Sequence, residues 1–195
     1  MNILTIDYTS KSFKEDFVSS LRNCGFAVIK NHPIDIKLIN SIYSEWQFFF
    51  ETDEKHDYLF DYEKQDGYFP FKSENAYNRD LKDLKEFYHI YPEWGRYPNN
   101  ISSKTIQLFN ELLFLGKELL KSINLFTPAN IKNNYSMPLH HMIKDSQQNL
   151  MRVIHYPPLR TTDHPYEIRA AEHTDINLIT LLVSGSQPGL QVKNK

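Results

Sequence analysis

The chain has 195 residues, room for one medium domain or for one core with a helical annex. Hydrophobic residues make up 41% and charged ones 24%, which excludes wholesale disorder. Lys and Arg total 22 against 24 Asp and Glu, a net charge of -2, so affinity for nucleic acid by phosphate neutralisation is not expected. A single cysteine, Cys24, excludes an internal disulfide framework and a multi-cysteine zinc site, and suits a reducing compartment. The start, MNILTIDYTSKSF, carries no basic region followed by a long apolar run, and the longest apolar stretch, Leu112 to Leu115, is a helix face. The expectation is a cytoplasmic protein without a membrane segment.

Ile3 to Ile6 reads as a short strand ending at Asp7. Phe13, Phe17 and Leu21 recur every four residues, the face of a helix, and Gly25 is placed to stop it. Phe26 to Ile29 has the look of a buried strand, broken by His32-Pro33. Ile39, Ile42, Tyr43, Trp46, Phe49 and Phe50 then fall at helical intervals. Between Asp53 and Tyr97 the chain is polar and aromatic, punctuated by Gly67, Pro70, Pro92 and Gly95, with strands expected at Tyr68 to Phe71 and Glu86 to Tyr91. A third helix is marked by Ile106, Phe109, Leu112, Leu113, Leu119, Leu120 and Ile123, with Ser102 or Ser103 as its N-cap.

From Thr127 to Ile143 the pattern is helical or irregular. Strands are then expected at Leu150 to Tyr156, Ile168 to Asp175, Leu178 to Val183 and Gly189 to Val192, so helices come first and strands last. The fold class expected is α+β, with N-terminal helices packed on a partial double-stranded β-helix, or jelly roll. Four late strands fall short of the roughly eight a jelly roll needs, and they would leave a hydrophobic sheet edge open to self-association. The chain is therefore expected to stop within a domain.

The sharpest chemical candidate is Ala171-Glu172-His173-Thr174-Asp175. On a strand, residues i and i+2 share a face, so His173 and Asp175 can aim at one point. An imidazole and a carboxylate joined by a distant second histidine make the facial triad of non-haem Fe(II) oxygenases. The spacing is weak by itself, since about half an H-x-D is expected by chance at these frequencies. Taken by itself, a solvated strand end with a capping Asp is the more ordinary explanation of this spacing.

The wider context is more specific. Arg152-Val153-Ile154-His155-Tyr156-Pro157-Pro158, then His173-Thr174-Asp175, then Thr180-Leu181-Leu182 and Gly189-Leu190-Gln191-Val192 run in the order of the isopenicillin N synthase-like Fe(II)/2-oxoglutarate oxygenases, which this chain resembles. Gly25-Phe26-Ala27-Val28-Ile29-Lys30-Asn31-His32, Phe48-Phe49-Phe50, Gly67-Tyr68 and Asp83-Leu84-Lys85-Glu86-Phe87 extend the resemblance over nearly the whole length. It implies a non-haem dioxygenase N-terminal region at 1–125 and the first part of the jelly-roll domain at 126–195.

The resemblance also implies roles. His173 and Asp175 match the first two iron ligands, and Tyr156 the tyrosine that hydrogen-bonds a carboxylate of 2-oxoglutarate. Thr180 matches a threonine beside the site. Arg152 shares a strand face with Ile154 and Tyr156 by alternation. It either receives an anionic group or serves as a structural ion-pair partner. Many plant members have Asn where Ile154 stands. The implied cofactors are Fe(II) and 2-oxoglutarate, with ascorbate as reductant, and the partners are O₂ and a small-molecule substrate.

In the family the second histidine ligand and an Arg-x-Ser pair follow Gly-Leu-Gln-Val, beyond Lys195. His155, His164 and His140-His141 are poor surrogates, His155 because alternation turns it from Tyr156. Without that arginine the sequence does not separate 2-oxoglutarate users from isopenicillin N synthase itself, which uses none. Two rival readings stay open: a non-catalytic remnant or partner-binding protein with an inherited fold, and a divergent cupin-like metal- or sugar-binding protein. No Gly-rich phosphate loop or Gly-x-Ser-x-Gly elbow is present, and Cys24 reads as a small buried hydrophobe.

Overall fold

Thr5–Asp7 forms β1, which pairs in parallel with β2, Val28–Lys30, in the register Ile6↔Ile29. Parallel neighbours need a crossover, and α1, Phe13–Cys24, supplies it. Phe13 and Phe17 lie one turn apart, both buried, with rings 5.9 Å apart. Gly25 ends α1 in the left-handed conformation, φ 77, and returns its N–H to the Leu21 carbonyl, a turn that glycine makes without strain. Val28 is 50% exposed, so β2 is half-open and not the buried strand expected. Among the described residues its one neighbour is β1, and alternate residues face water.

The computed structural model describes residues 3–75, 80–161, 163 and 165–193. The chain divides into two units. The first comprises Met1–Asp35, Asn110–Asp145 and Leu178–Lys195, the second Ile36–Phe109 and Ser146–Asn177. α3, Lys104–Phe126, contributes its residues through Phe109 to the second unit and the rest to the first. In the first unit Leu115, Leu119 and Leu120 of α3 are buried, as are Ile6, Phe13 and Phe17. The ambiguous stretch after α3 resolves into two single turns, α4 (Ala129–Lys132) and α5 (Leu139–Met142), each entered through a proline. Among the described residues no helix is long and apolar enough to cross a membrane.

The second unit holds α2 (Ile36–Glu51), a 3₁₀ turn at Asp53–Tyr58, and the strands β3 (Gly67–Phe69), β4 (Glu86–Ile90) and β5 (Met151–His155). The strands form one antiparallel sheet in the order β3-β4-β5. Alternation divides its side chains. One face carries Tyr68, Glu86, Tyr88 and His155, and α2 covers it: Trp46 lies 5.2 Å from Tyr88, and Phe50 stacks on His155 at 5.3 Å. Trp46, 1% exposed, donates its indole N–H to Thr105 Oγ1 at 2.9 Å, so the bulkiest core residue leaves no polar atom unpaired.

Gly67 fixes the start of β3. Its φ is 95, and a Cβ there would lie 2.5 Å from the Tyr58 carbonyl and 2.6 Å from Arg96 Nη2. Arg96 cannot retreat, because Nη2 donates to Leu59 O and to the buried Asp66 carboxylate. Gly67→Ala is expected to cost about 1–3 kcal/mol, read as a fall in the urea midpoint at unchanged slope.

The three strands expected at Ile168–Asp175, Leu178–Val183 and Gly189–Val192 do not form. Among the described residues these stretches are irregular. A strand exists only with a neighbour to accept its ladder of hydrogen bonds. Here residues 168–171 make isolated bonds, Leu84 N–H to Ile168 O at 2.9 Å and Ala171 N–H to Asp83 Oδ1 at 3.1 Å. Ile176, Leu182 and Leu190 remain exposed. The architecture is α+β, and the described residues do not assemble a jelly roll.

Candidate active site

Among the described residues between β5 and Asp175 the chain is irregular, and Ala171 ties it to the approach to β4 through its bond to Asp83. His173 Nε2 and Asp175 Oδ1 stand 3.5 Å apart, both side chains about half exposed. They lie side by side, though on an irregular segment and not on the strand expected. His173 Nδ1 is 2.8 Å from the Ala171 carbonyl. A carbonyl only accepts, so Nδ1 carries the proton, and in the neutral ring Nε2 presents its lone pair toward the carboxylate. Two acceptors face each other, an arrangement that a cation between them, or a proton on the ring, makes favourable. Two donors each about 2.1 Å from one ion at a right angle stand ~3 Å apart, so the pair suits adjacent positions on a metal. A backbone carbonyl fixing the outer ring nitrogen is the usual support for a ligating histidine. Among the described residues, no group of three or more His, Cys, Asp or Glu side chains could hold an ion.

The second face of the sheet carries Phe69, Phe87, His89, Arg152 and Ile154, paired Phe87↔Ile154 and His89↔Arg152 across β4 and β5. Phe60, Phe69 and Phe87 stack in sequence, centroids 4.4 and 4.5 Å apart, and the Arg152 guanidinium lies 4.5 Å over Phe87. Arg152 pairs with Glu74, Nη1 to Oε2 at 3.6 Å, the structural ion pair that was one of its two expected forms, and its side chain is 34% exposed. Tyr156, just past β5, is 39% exposed, and burial of its remainder pushes the phenol up, keeping it a donor near neutrality. Thr180 is exposed and belongs to the first unit.

A charged chain runs along this face. Asp83 Oδ2 meets Lys85 Nζ at 3.1 Å, and Lys85 Nζ meets Glu74 Oε2 at 2.9 Å. Burial disfavours the charged Glu74, but the Lys85 hydrogen bond and the charge of Arg152 outweigh it and hold the carboxyl below its usual range. Burial, then the charge of Arg152, pushes the His89 imidazole down to about 4. Sequence reading missed Glu74 and His89. The signal was the alternation Lys85, Phe87, His89 leading into and along β4, which places all three on one face.

Of the surrogate ligands, His155 points to the α2 side, its Nδ1 2.7 Å from Glu86 Oε1. His140 and His141 lie in α5 of the first unit, and His164 lies outside the described residues.

Residues 4–111 match the model of the family described as non-haem dioxygenase in morphine synthesis N-terminal. The chain belongs to that family. It is 27% identical over 186 residues to flavonol synthase 1 of Crocosmia x crocosmiiflora, covering 88% of this chain and 53% of that one. A Shewanella oneidensis protein assigned as an oxygenase superposes with a TM-score of 0.80 at 42% identity, over 91% of this chain and 63% of its own. A full-length Neurospora crassa protein, solved with α-ketoglutarate and thymine, gives a TM-score of 0.64 at 20% identity, over 89% of this chain and 62% of its own, a likeness of fold. The chain thus spans between half and two thirds of the length of these relatives.

Proposed function

We propose that this chain carries the N-terminal region, 1–125, and the opening part of the catalytic jelly roll, 126–195, of a non-haem Fe(II)/2-oxoglutarate-dependent oxygenase that oxidises a small molecule with O₂. The observation that carries the reading is the apposition of His173 Nε2 and Asp175 Oδ1, with Nδ1 held by the Ala171 carbonyl. His173 and Asp175 would hold Fe(II), and bound Fe(II) with 2-oxoglutarate supplies the oxidising power. The protein's own part is positioning. Tyr156, protonated, donates its O–H to a carboxylate oxygen of 2-oxoglutarate. Arg152 and the stacked Phe69 and Phe87 line the side on which substrate lies. Ascorbate serves as reductant.

The test is anaerobic loading with Fe(II) and 2-oxoglutarate, then O₂, with succinate measured. Succinate that depends on Fe(II), and a several-fold rise in the apparent KM for 2-oxoglutarate in Tyr156→Phe, are the expected results. A folded chain that binds no Fe(II) and forms no succinate supports the second reading, a non-catalytic partner-binding protein that pairs through the outer edge of β5. That reading is favoured by the lack, among the described residues, of a three-ligand cluster.

A further inference from the structure

His89 is buried, 6% exposed, and its Nδ1 lies 2.8 Å from the Gln65 carbonyl oxygen. That oxygen cannot donate, so the ring proton sits on Nδ1 and Nε2 offers a lone pair. Arg152 Nε stands 2.8 Å from Nε2 and donates to it. The ring is thereby committed at both nitrogens, and the guanidinium is fixed in rotation as well as position. Phe87 supports its flat side. Glu74 draws Nη1 by charge, but at 3.6 Å it does not hydrogen-bond it, and the same Glu74 oxygen is held by Lys85 at 2.9 Å. Lys85 is in turn shared with Asp83. The Arg152 side chain is 34% exposed, so its terminal N–H groups are within reach of a ligand.

We infer that His89 is a positioning residue that clamps Arg152 flat on Phe87, so that the guanidinium receives the carboxylate of a small substrate with a flat apolar body. The fork of a guanidinium matches two carboxylate oxygens, and a fork already held in place loses little freedom on binding. The inference deepens the oxygenase reading by naming the class of its substrate, and it rests on that reading for the word substrate.

The probe is benzoate, added to the metal-free, ¹⁵N-labelled full chain. The expected spectrum shows an exchange-protected Arg152 Nε–H resonance and the Nδ1–H tautomer of His89, and benzoate shifts the Arg152 resonance. His89→Leu, which removes the acceptor, should expose the Nε–H to exchange and weaken benzoate about tenfold. His89→Gln, which offers an amide oxygen near the same place, should restore most of the affinity. Arg152→Lys keeps the charge, loses the fork, and should bind as weakly as His89→Leu. It sits at a partly open position and decides the matter should His89→Leu fail to fold. Benzoate affinity unchanged in Arg152→Lys, or shifts confined to other residues, overturns the inference. No metal is used, so missing succinate leaves this result standing, while Fe(II)-dependent succinate with unaltered benzoate binding in the variants removes this inference alone.

Discussion

Glu86→Ala will cost the fold about 3–5 kcal/mol, measured by urea unfolding, because it leaves the buried Tyr68 phenol without its acceptor and the part-buried Lys55 ammonium without its counter-ion. Glu86 is 4% exposed at the start of β4. Its Oε2 accepts from Tyr68 O–H at 2.5 Å and from Lys55 Nζ at 3.0 Å, while His155 Nδ1 lies 2.7 Å from Oε1. The carboxylate joins β3, β4, β5 and the 3₁₀ turn after α2 at one point. Alanine strands the Tyr68 hydroxyl and the His155 ring nitrogen and leaves Lys55 on the Phe50 carbonyl without its charge partner, and these losses set the size of the effect. Glu86→Gln keeps one oxygen and should cost less.

The same carboxylate shapes the acid limb of stability. Burial pushes its pKa up, but the hydrogen bonds from His155, Tyr68 and Lys55, with the charge of Lys55, outweigh burial and hold it below the ordinary value. The folded state therefore binds this proton less readily than the unfolded chain. Its stabilisation is complete above the unfolded carboxyl's pKa of about 4.3 and is lost as pH falls through the lower folded value. Glu86→Ala should flatten the decline of stability in that acid window and leave the neutral region uniformly lowered.

Local pattern made much of this architecture readable in advance. α2 follows from Ile39, Ile42, Trp46, Phe49 and Phe50 because helical periodicity is written within one segment. Glu86–Ile90 is legible as a strand for a related reason, although it is buried on both faces, with a glutamate and a histidine among five buried positions. The late strands were not legible. Leu178–Val183 has a strand's composition, but strand formation depends on a neighbour, and composition does not say whether one is there. Likewise His-x-Asp is a local motif that reading finds, whereas the Glu74, Lys85, His89 and Arg152 assembly exists only after β5 pairs with β4. Arg152 alone shows a charge; its orientation is set by His89, far away in sequence.

His173→Ala will raise the Kd for Fe(II) in the full chain at least about tenfold and bring Fe(II)-dependent succinate formation to background. The pair His173 and Asp175 offers two donors 3.5 Å apart from residues two positions apart, so an ion held by one meets the other without further ordering. Alanine leaves a single half-exposed carboxylate, which water competes with easily. Both side chains are about half exposed, and the His173 ring bonds only to a carbonyl two residues away and faces Asp175. Removing it should therefore change unfolding stability by no more than about 0.5 kcal/mol. That separation gives the prediction its edge: chemistry lost with the fold intact assigns the role to the imidazole. Asp175→Asn, which keeps shape and removes charge, should weaken Fe(II) in the same direction with equally unaltered unfolding. Iron affinity indifferent to both substitutions would remove the metal site from this segment and the oxygenase reading with it.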